Sequence, residues 1–447
     1  MRLFKKDFFK EIVKKFILFF LNPVVPRTRY IQELDYLFHE QCKVTIRFRF
    51  RYKILKNEKI NILFVCHRPQ LWGSLKTVFE AINSDSHFNV TIVAIPNKKQ
   101  LPRIGWKHET YVSEGAEEYF RDFPCKVING YNYENKTWVS LRTLDPDYCF
   151  FQSPYSGSRP VDYDIRSVSQ YANICYVHYG ADTVINQDYE SFHPFYFICY
   201  LYMIFCQSAE YENFIKNIFL QNKKYFYIKS HITGFPRYDN LNTYKNTECN
   251  IWKFPKSENK FRIIWTPRWT TQENLCNFFV FKDKFFDYAD NNHDIDFVFR
   301  PHPHGFADYI YKKQMSLKDV EHFKIEYNRR KNMTIDYNKD YLPQFYTSDV
   351  LVTDTSSLLC EYFLTDKPII YCHRKNYFNS FTTNLSEGFY WAYNWDDVKK
   401  YLEQLKSGND PLREKRLQIK KNEYFIPPEG AGNRIKNLIL DDFFERI

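Results

Sequence analysis

The residue types best suited to holding an anion and moving a proton occur in short runs, each at the end of an apolar stretch. Arg300-Pro301-His302-Pro303, followed by His304 and Gly305, comes directly after Asp296-Phe-Val-Phe. A guanidinium grips phosphate oxygens in pairs, and an imidazole can neutralise charge or hand a proton to a leaving group. Prolines on both sides of His302 fix the backbone and hold it extended. Val350-Leu-Val-Thr-Asp354-Thr355-Ser356-Ser357 is a second apolar run that ends in a polar turn. Asp354 and Thr355 are natural helix caps, so a helix opening at Ser356 would offer unsatisfied N–H groups, its dipole and two hydroxyls to a diphosphate. A cap that serves only its own helix is the plainer alternative.

Three further runs add candidates. Trp265-Thr-Pro-Arg268-Trp-Thr places Arg268 beside the same anion site. Gly234-Phe-Pro-Arg237-Tyr-Asp239 reads equally as a ligand-binding turn or as a hinge with an Arg–Asp pair. Cys175-Tyr-Val-His178-Tyr179-Gly180 puts a histidine where a general base for an incoming hydroxyl belongs, although a lone histidine is as often structural. His67, Arg68, Trp72 and Ser74 follow another apolar run and are acceptor-side candidates. Asp294-Ile-Asp296 has the spacing of a metal-binding pair, but it opens its strand at the wrong end and is read as coincidence. No other metal-ligand spacing and no Gly-rich nucleotide loop stand out, so no cofactor is expected, a divalent cation being left open.

These runs need strands to deliver them. Ile60–Cys66, Val90–Ile95, residues 147–152, Ile174–Val177, Phe261–Trp265, Phe297–Arg300, Val350–Thr353 and Pro368–Cys372 are continuously apolar, as parallel strands buried on both faces must be. Helical stretches around 71–82 and 114–122 alternate with them. The pattern predicts α/β architecture: two doubly wound Rossmann-like domains facing a cleft, with ligands at the carboxyl ends of the strands. The expected division is a basic segment over 1–58, an acceptor-side domain over 59–243, a polar linker over 244–260, a nucleotide-donor domain over 261–400 and a helical tail over 401–447. The charge-free stretch Ser191–Ala209 is interrupted by His193, Pro194 and Gln207 and reads as a buried helix and strand, not a membrane span.

At 447 residues the chain suits two domains. Its formal charge is +10, with the basic excess concentrated between Arg2 and Lys59. That placement points to an anionic membrane surface or polyanion, and no nucleic-acid-binding pattern is visible. Leu3, Phe4, Phe8, Phe9, Ile12, Val13, Phe16 and Ile17 recur at helical spacing with lysines between them. They fit an interfacial helix on an anionic leaflet, or a helix packed on the protein's own body. Ile46, Phe48, Phe50, Tyr52 and Ile54 alternate with Arg47, Arg49, Arg51 and Lys53, which predicts a strand with one cationic face. The 11 cysteines are scattered without a CxxC pair, as in a reducing compartment.

Taken in order, the runs resemble the CDP-glycerol:poly(glycerophosphate) glycerophosphotransferase family, which includes the teichoic acid polymerases and capsule-locus relatives. The resemblance rests on Arg300-Pro-His302-Pro, on Ser348-Asp-Val-Leu-Val-Thr-Asp354-Thr-Ser356-Ser357, on Asp366-Lys-Pro-Ile-Ile and on the Gly234-Phe-Pro-Arg237 turn. The polymerases carry His-Gly-Thr where this chain has His178-Tyr179-Gly180, and Asp-Tyr-Ser-Ser where it has Asp354-Thr355-Ser356-Ser357. The resemblance implies a GT-B fold, peripheral attachment to the inner face of a bacterial cell membrane, and transfer of glycerol phosphate from CDP-glycerol (or of another alditol phosphate from its CDP donor). The acceptor would be a hydroxyl of a polysaccharide or lipid-linked polymer, with CMP released. It further implies that Gly234, Arg237, Arg268, Arg300, His302, Asp354, Thr355, Ser356 and Ser357 serve the donor. Glu361 would hold ribose hydroxyls, His178 would take the acceptor proton, and His67, Trp72 and Gly180 would lie on the acceptor side. A nucleotide-sugar glycosyltransferase, or a non-catalytic scaffold of polysaccharide export, are the rival expectations.

Overall fold

In a computed structural model, residues 27–98, 111–155, 159–181, 195–221, 228–239, 241, 244, 248–272, 274–338, 340–375 and 378–444 are described. The amphipathic pattern of residues 3–17 lies outside them. The described chain groups into two compact units. The first contains residues up to Tyr179, Asp188–Asp239 and Phe425–Ile447, and the second contains Gly180–Gln187 and Asn240–Tyr424.

The first unit is built on seven parallel strands: β1 (Ile60–Cys66), β2 (Phe88–Ala94), β3 (Lys126–Asn129), β4 (Tyr148–Phe151), β5 (Asn173–Val177), β6 (Met203–Cys206) and β7 (Lys229–Ile232). Their order is β3-β2-β1-β4-β5-β6-β7, so the sequence reverses direction between β1 and β4. The second unit repeats this with β8 (Phe261–Thr266), β9 (Ile295–Phe299), β10 (Met333–Ile335), β11 (Val350–Thr353), β12 (Ile369–Cys372) and β13 (Tyr390–Ala392). Their order is β10-β9-β8-β11-β12-β13, with the reversal between β8 and β11. Both are the strand order of dinucleotide-binding sheets, in which ligands lie outside the carboxyl ends at the reversal. The α/β expectation with parallel sheets therefore holds. It was legible because β1, β4, β5, β9, β11 and β12 are apolar on both faces and buried almost throughout.

Each sheet carries its own core. In the first unit Leu63, Val65, Val93, Phe151, Ile174 and Ile204 pack beneath one set of helices. On the other face Phe64 stacks on Phe150, with centroids 5.0 Å apart. In the second unit Trp265, fully buried, is surrounded by Phe278, Phe285 and Phe299. Residues 195–206 form the short helix Phe195–Cys199 and strand β6, as the charge-free stretch suggested.

Two expectations fail. Residues 46–54 are not a strand but lie in the helix Arg27–Lys56. The buried set is His39, Cys42, Ile46, Phe50 and Lys53, spaced by three and four residues; the local alternation happened to fit both periods. Arg49 and Lys53 reach the buried Asp147 at 3.1 and 2.7 Å, tying this helix to the first sheet. The tail over 401–447 is also not one piece. The helices Trp395–Lys406 and Arg413–Glu423 pack within the second unit, whereas Ala431–Phe444 completes the first.

That last helix is fixed at both ends. Asp239 accepts N–H groups from Ala431 (2.7 Å) and Gly432 (2.8 Å), capping its start. Gly432 must lack a side chain, because a Cβ would lie 2.4 Å from the Thr77 carbonyl oxygen. Near its end Asp442 accepts from Tyr202 Oη and Lys229 Nζ, both at 2.6 Å. All 11 cysteines are free thiols, nine of them buried as small apolar side chains. Among the described residues no helix is long and apolar enough to cross a membrane.

Candidate functional site

In the second unit the reversal point is closed by side chains from both flanking strands. Thr266, ending β8, and Thr353, ending β11, share a hydrogen bond of 2.7 Å between hydroxyls. Beyond them Asp354 is fully buried. Its carboxylate accepts from the Arg268 N–H (3.0 Å), the Asn277 N–H (2.8 Å) and the Asn277 side-chain amide (2.8 Å). Burial pushes its pKa up from 3.8 to about 6, while Asn277 and the Arg268 N–H pull it back.

Asp354 thus positions the two loops and is not a helix cap. The helix Leu358–Phe363 starts later than expected, with Ser357 at its cap position and no capping side-chain bond. Thr355 is buried too, its hydroxyl 2.7 Å from Tyr371 Oη, and its carbonyl accepts from Arg268 Nη1 at 2.9 Å. This leaves Ser356 and Ser357 as the half-buried hydroxyls of the turn. Of the turn's expected donors, Ser356 and Ser357 are thus the ones left half-buried, while Asp354 and Thr355 hold the turn in shape.

Arg300, at the end of β9, donates to Asp336 Oδ2 at 2.6 Å and to the Asn338 carbonyl at 2.9 Å. Its guanidinium lies 4.9 Å from the Tyr341 ring centre, and Tyr341 Oη donates to Glu361. The expected bidentate phosphate grip is therefore taken up within the protein. Glu361 is buried and spent on Tyr341, which removes it as an open ribose contact. Asp336, Tyr341 and Asn277 were missed at the sequence level, since they lie far along the chain from the groups they orient.

His302 is exposed, and its Nδ1 accepts the His304 N–H at 3.1 Å. An acceptor at Nδ1 requires that a neutral ring carry its proton on Nε2. Trp269 flanks it, 5.9 Å from the His302 ring, and Lys312 lies 5.8 Å from the Trp269 ring. Asp294 pairs with Lys406, and Asp296 accepts the Phe254 N–H at 2.9 Å; both sit at the amino end of β9. Among the described residues no group of three or more His, Cys, Asp or Glu is arranged to hold a metal ion.

The first unit closes its own reversal point in the same way. Gln152, following β4, accepts the N–H groups of His67 and Arg68 with one oxygen, both at 2.9 Å, and donates to the Arg68 carbonyl at 2.7 Å. A side chain after the fourth strand of each sheet thus grips the backbone after the first strand. Burial drives the His67 pKa down to about 3, with Arg68 adding to the effect, so His67 is neutral across the physiological range. Trp72 is not an acceptor contact. It is 3% exposed and packed among Phe64, Phe79, Phe120 and Phe123.

His178 follows β5 at the same edge, 8% exposed, with its ring stacked 5.0 Å from Tyr179 and 5.9 Å from Tyr211. Gly180 begins the short stretch that groups with the second unit, and a Cβ there would meet nothing within 4 Å. Gly234 and Arg237, expected at the donor, belong to the first unit. Gly234 has φ +76°, and a Cβ would lie 2.8 Å from the Phe425 carbonyl oxygen, so its smallness serves the returning chain. Arg237 lies against Gly73 and donates to the Gln70 carbonyl at 3.4 Å. The Arg237–Asp239 pair of the hinge reading does not occur, because Asp239 is occupied by the last helix.

Residues 202–421 match the model of the CDP-glycerol:poly(glycerophosphate) glycerophosphotransferase family. The minor teichoic acid biosynthesis protein GgaB of Bacillus subtilis (strain 168) is 26% identical over 256 residues, which cover 52% of this chain and 25% of GgaB. The chain thus spans about a quarter of the length of that curated relative. Among solved structures, the S. aureus MnaA-UDP co-structure superposes with a TM-score of 0.57 at 14% identity, covering 87% of this chain and 98% of that one. The UDP-GlcNAc 2-epimerase from Neisseria meningitidis bound to UDP-GlcNAc gives 0.54 at 12% identity, over 87% and 100%. The wall teichoic acid polymerase TagF, as a variant soaked with CDPG, gives 0.52 at 13% identity, over 90% and 98%. These likenesses are of fold.

Proposed function

From the premise that the segment 202–421 belongs to the CDP-glycerol:poly(glycerophosphate) glycerophosphotransferase family, we propose that the chain is a GT-B-type alditol-phosphate transferase. It takes glycerol phosphate, or a related alditol phosphate, from a CDP-linked donor. It passes this group to a hydroxyl of a teichoic-acid-like or other surface polymer. The acceptor oxygen forms a bond to the phosphorus bearing the alditol, the bond from that phosphorus to the CMP oxygen breaks, and the hydroxyl proton goes to a base.

One observation supports this reading most: the matched segment contains the reversal point at β8 and β11, where Arg268, Ser356, Ser357 and His302 follow the carboxyl ends of neighbouring strands. Donors fixed before the reaction stabilise a developing phosphate charge without reorganising, which is how phosphoryl transfer is chiefly accelerated. Arg300 contributes a held positive charge. His302 is suited to donate through Nε2 to the departing CMP oxygen. The base is assigned to His178, whose ring is buried among tyrosines.

Attachment to an anionic membrane face is part of the same reading. Phe48, Tyr52 and Leu55 are exposed on the helix Arg27–Lys56 at 48%, 56% and 85%, with Arg51 and Lys56 beside them. An apolar stripe flanked by cations is what an interfacial helix presents to lipid.

Purified protein would be incubated with CDP-glycerol, CDP-ribitol or a panel of nucleotide sugars, plus a polymer acceptor, with and without EDTA. CMP release from a CDP-alditol, abolished by His302→Ala, is the expected result. Nucleotide release from a sugar donor alone would favour the second reading, glycosyl transfer, which draws on the fold shared with the UDP-bound structures.

A further inference from the structure

A cavity in the first unit that stands apart from the strand-end residues of the candidate site is basic. It has a volume of about 570 Å³ and lies between the helix Arg27–Lys56 and the starts of β6 and β7. Lys43, Arg47 and Arg51 line one wall, Lys229 and Tyr202 the other, and among the described residues Glu40 is its single acidic lining residue. Lys43, Arg47 and Arg51 are four residues apart, so they form one ridge with about 6 Å between successive positions. Lys43 is paired with Glu40 at 2.9 Å and Lys229 with Asp442 at 2.6 Å. Arg47 has no ion-pair or hydrogen-bond partner among the described residues. Among the described lining residues cations thus outnumber carboxylates, with Lys43, Arg47, Arg51 and Lys229 against Glu40.

Its place in the sheet separates it from the proposed reaction. Tyr202 immediately precedes β6 and Lys229 opens β7, so the cavity is at the amino ends of the strands. His67, Gln152 and His178 are at the carboxyl ends, on the order of 15 Å away along a strand. Along the same helix the ridge runs beside the apolar stripe, and Arg51 is the member that borders it, its guanidinium 6.0 Å from the Phe48 ring centre. At 100° per residue, Phe48, Tyr52 and Leu55 centre about a quarter-turn from the ridge. A bilayer entered by the stripe would leave the ridge at its flank, and a concave wall suits a chain better than a plane.

We propose that this cavity is a secondary binding site for a phosphodiester polymer, holding the acceptor chain through successive phosphates away from the end that reacts. The proposal rests on the polymer-acceptor reading above. It adds a length dependence: a short acceptor cannot occupy both places, and a long one can.

The full-length chain would be titrated with purified poly(glycerol phosphate), with glycerol 3-phosphate and with phosphatidylglycerol vesicles. The variants are Arg47→Ser/Arg51→Ser, Lys43→Ala and Glu40→Gln. Loss of two phosphate contacts should weaken polymer binding about tenfold or more and flatten its salt dependence. Glu40→Gln should tighten binding about twofold to fivefold, a gain that a folding defect cannot mimic. In turnover assays the KM for the long acceptor should rise in the double variant, while that for a short acceptor stays unchanged. Lys43→Ala gives the same direction should the double variant fail to fold.

Equal polymer affinity in wild type and all variants would overturn the proposal, as would a loss confined to vesicles, which would make the cavity a lipid contact. Polymer binding that depends on these residues in a chain releasing no CMP from any CDP-alditol would sink the catalytic reading and leave this site standing.

Discussion

The backbone N–H of His304 donates to Nδ1 of His302 across 3.1 Å. One bond inside a Pro-flanked loop thus occupies Nδ1 and leaves the proton of a neutral ring to Nε2. If that proton serves the departing group, the outer nitrogen is what a substitution must preserve. His302→Gln, whose amide can occupy the Nε2 position, should retain more CMP release than His302→Asn. His302→Ala should lose on the order of 10²–10³ in kcat, as removal of one preorganised donor does elsewhere. Equal losses for Gln and Asn would show that the outer nitrogen is not used.

Asp354 carries a pH signature. Its pKa is raised from 3.8 to about 6 in the fold, chiefly by burial. The folded chain therefore keeps this proton to a higher pH than the unfolded chain. The associated stability is full below the unfolded value and is lost as pH rises through about 6, at up to ~1.4 kcal/mol per pH unit. Urea unfolding of wild type and Asp354→Asn at pH 4.5 and pH 7 measures this. The margin of wild type over the variant should be larger at pH 4.5, and a constant margin would contradict the assignment.

Arg300 is held by Asp336, the Asn338 carbonyl and the Tyr341 ring together. A lysine cannot reproduce the planar fork and the stacking at once. Arg300→Lys should reduce kcat/KM for the donor about tenfold to a hundredfold, the range of one or two charge-assisted hydrogen bonds. Charge alone being enough would be shown by an unchanged kcat/KM.

Gly432→Ala would drive a methyl group into the Thr77 carbonyl. The cost should be about 1–3 kcal/mol, as for overpacking elsewhere. If calorimetry resolves separate transitions for the two units, the one belonging to the first should fall and the other should stay.

The sequence made the strands legible because parallel strands buried on both faces leave a continuous apolar signature; Val350–Thr353 matches its expected bounds. The residues at the ends of those strands followed, since a polar run after such a strand has one place to go. What stayed hidden was set by distance along the chain. Nothing near Asp354 announces that its partner is Asn277, 77 positions away, and nothing near Arg300 points to Asp336. Glu361 looked like an open contact because Tyr341 is invisible from its neighbours. In the helix Arg27–Lys56, nine alternating residues satisfied the wrong period because the buried positions beneath them were the only discriminating signal.

The last helix has a consequence for how the protein is made. Asp239 and Thr77 wait for Ala431 and Gly432, and Tyr202 and Lys229 wait for Asp442, so the first unit lacks one of its walls until residues 431–442 have left the ribosome. The second unit, whose residues end at Tyr424, has its whole sequence before that. Domains generally fold as units during synthesis, amino-terminal first. Here the order is inverted: the unit that supplies the earlier strands is completed after its neighbour, and synthesis interrupted between residues 425 and 431 leaves it open while the second unit already has its sequence.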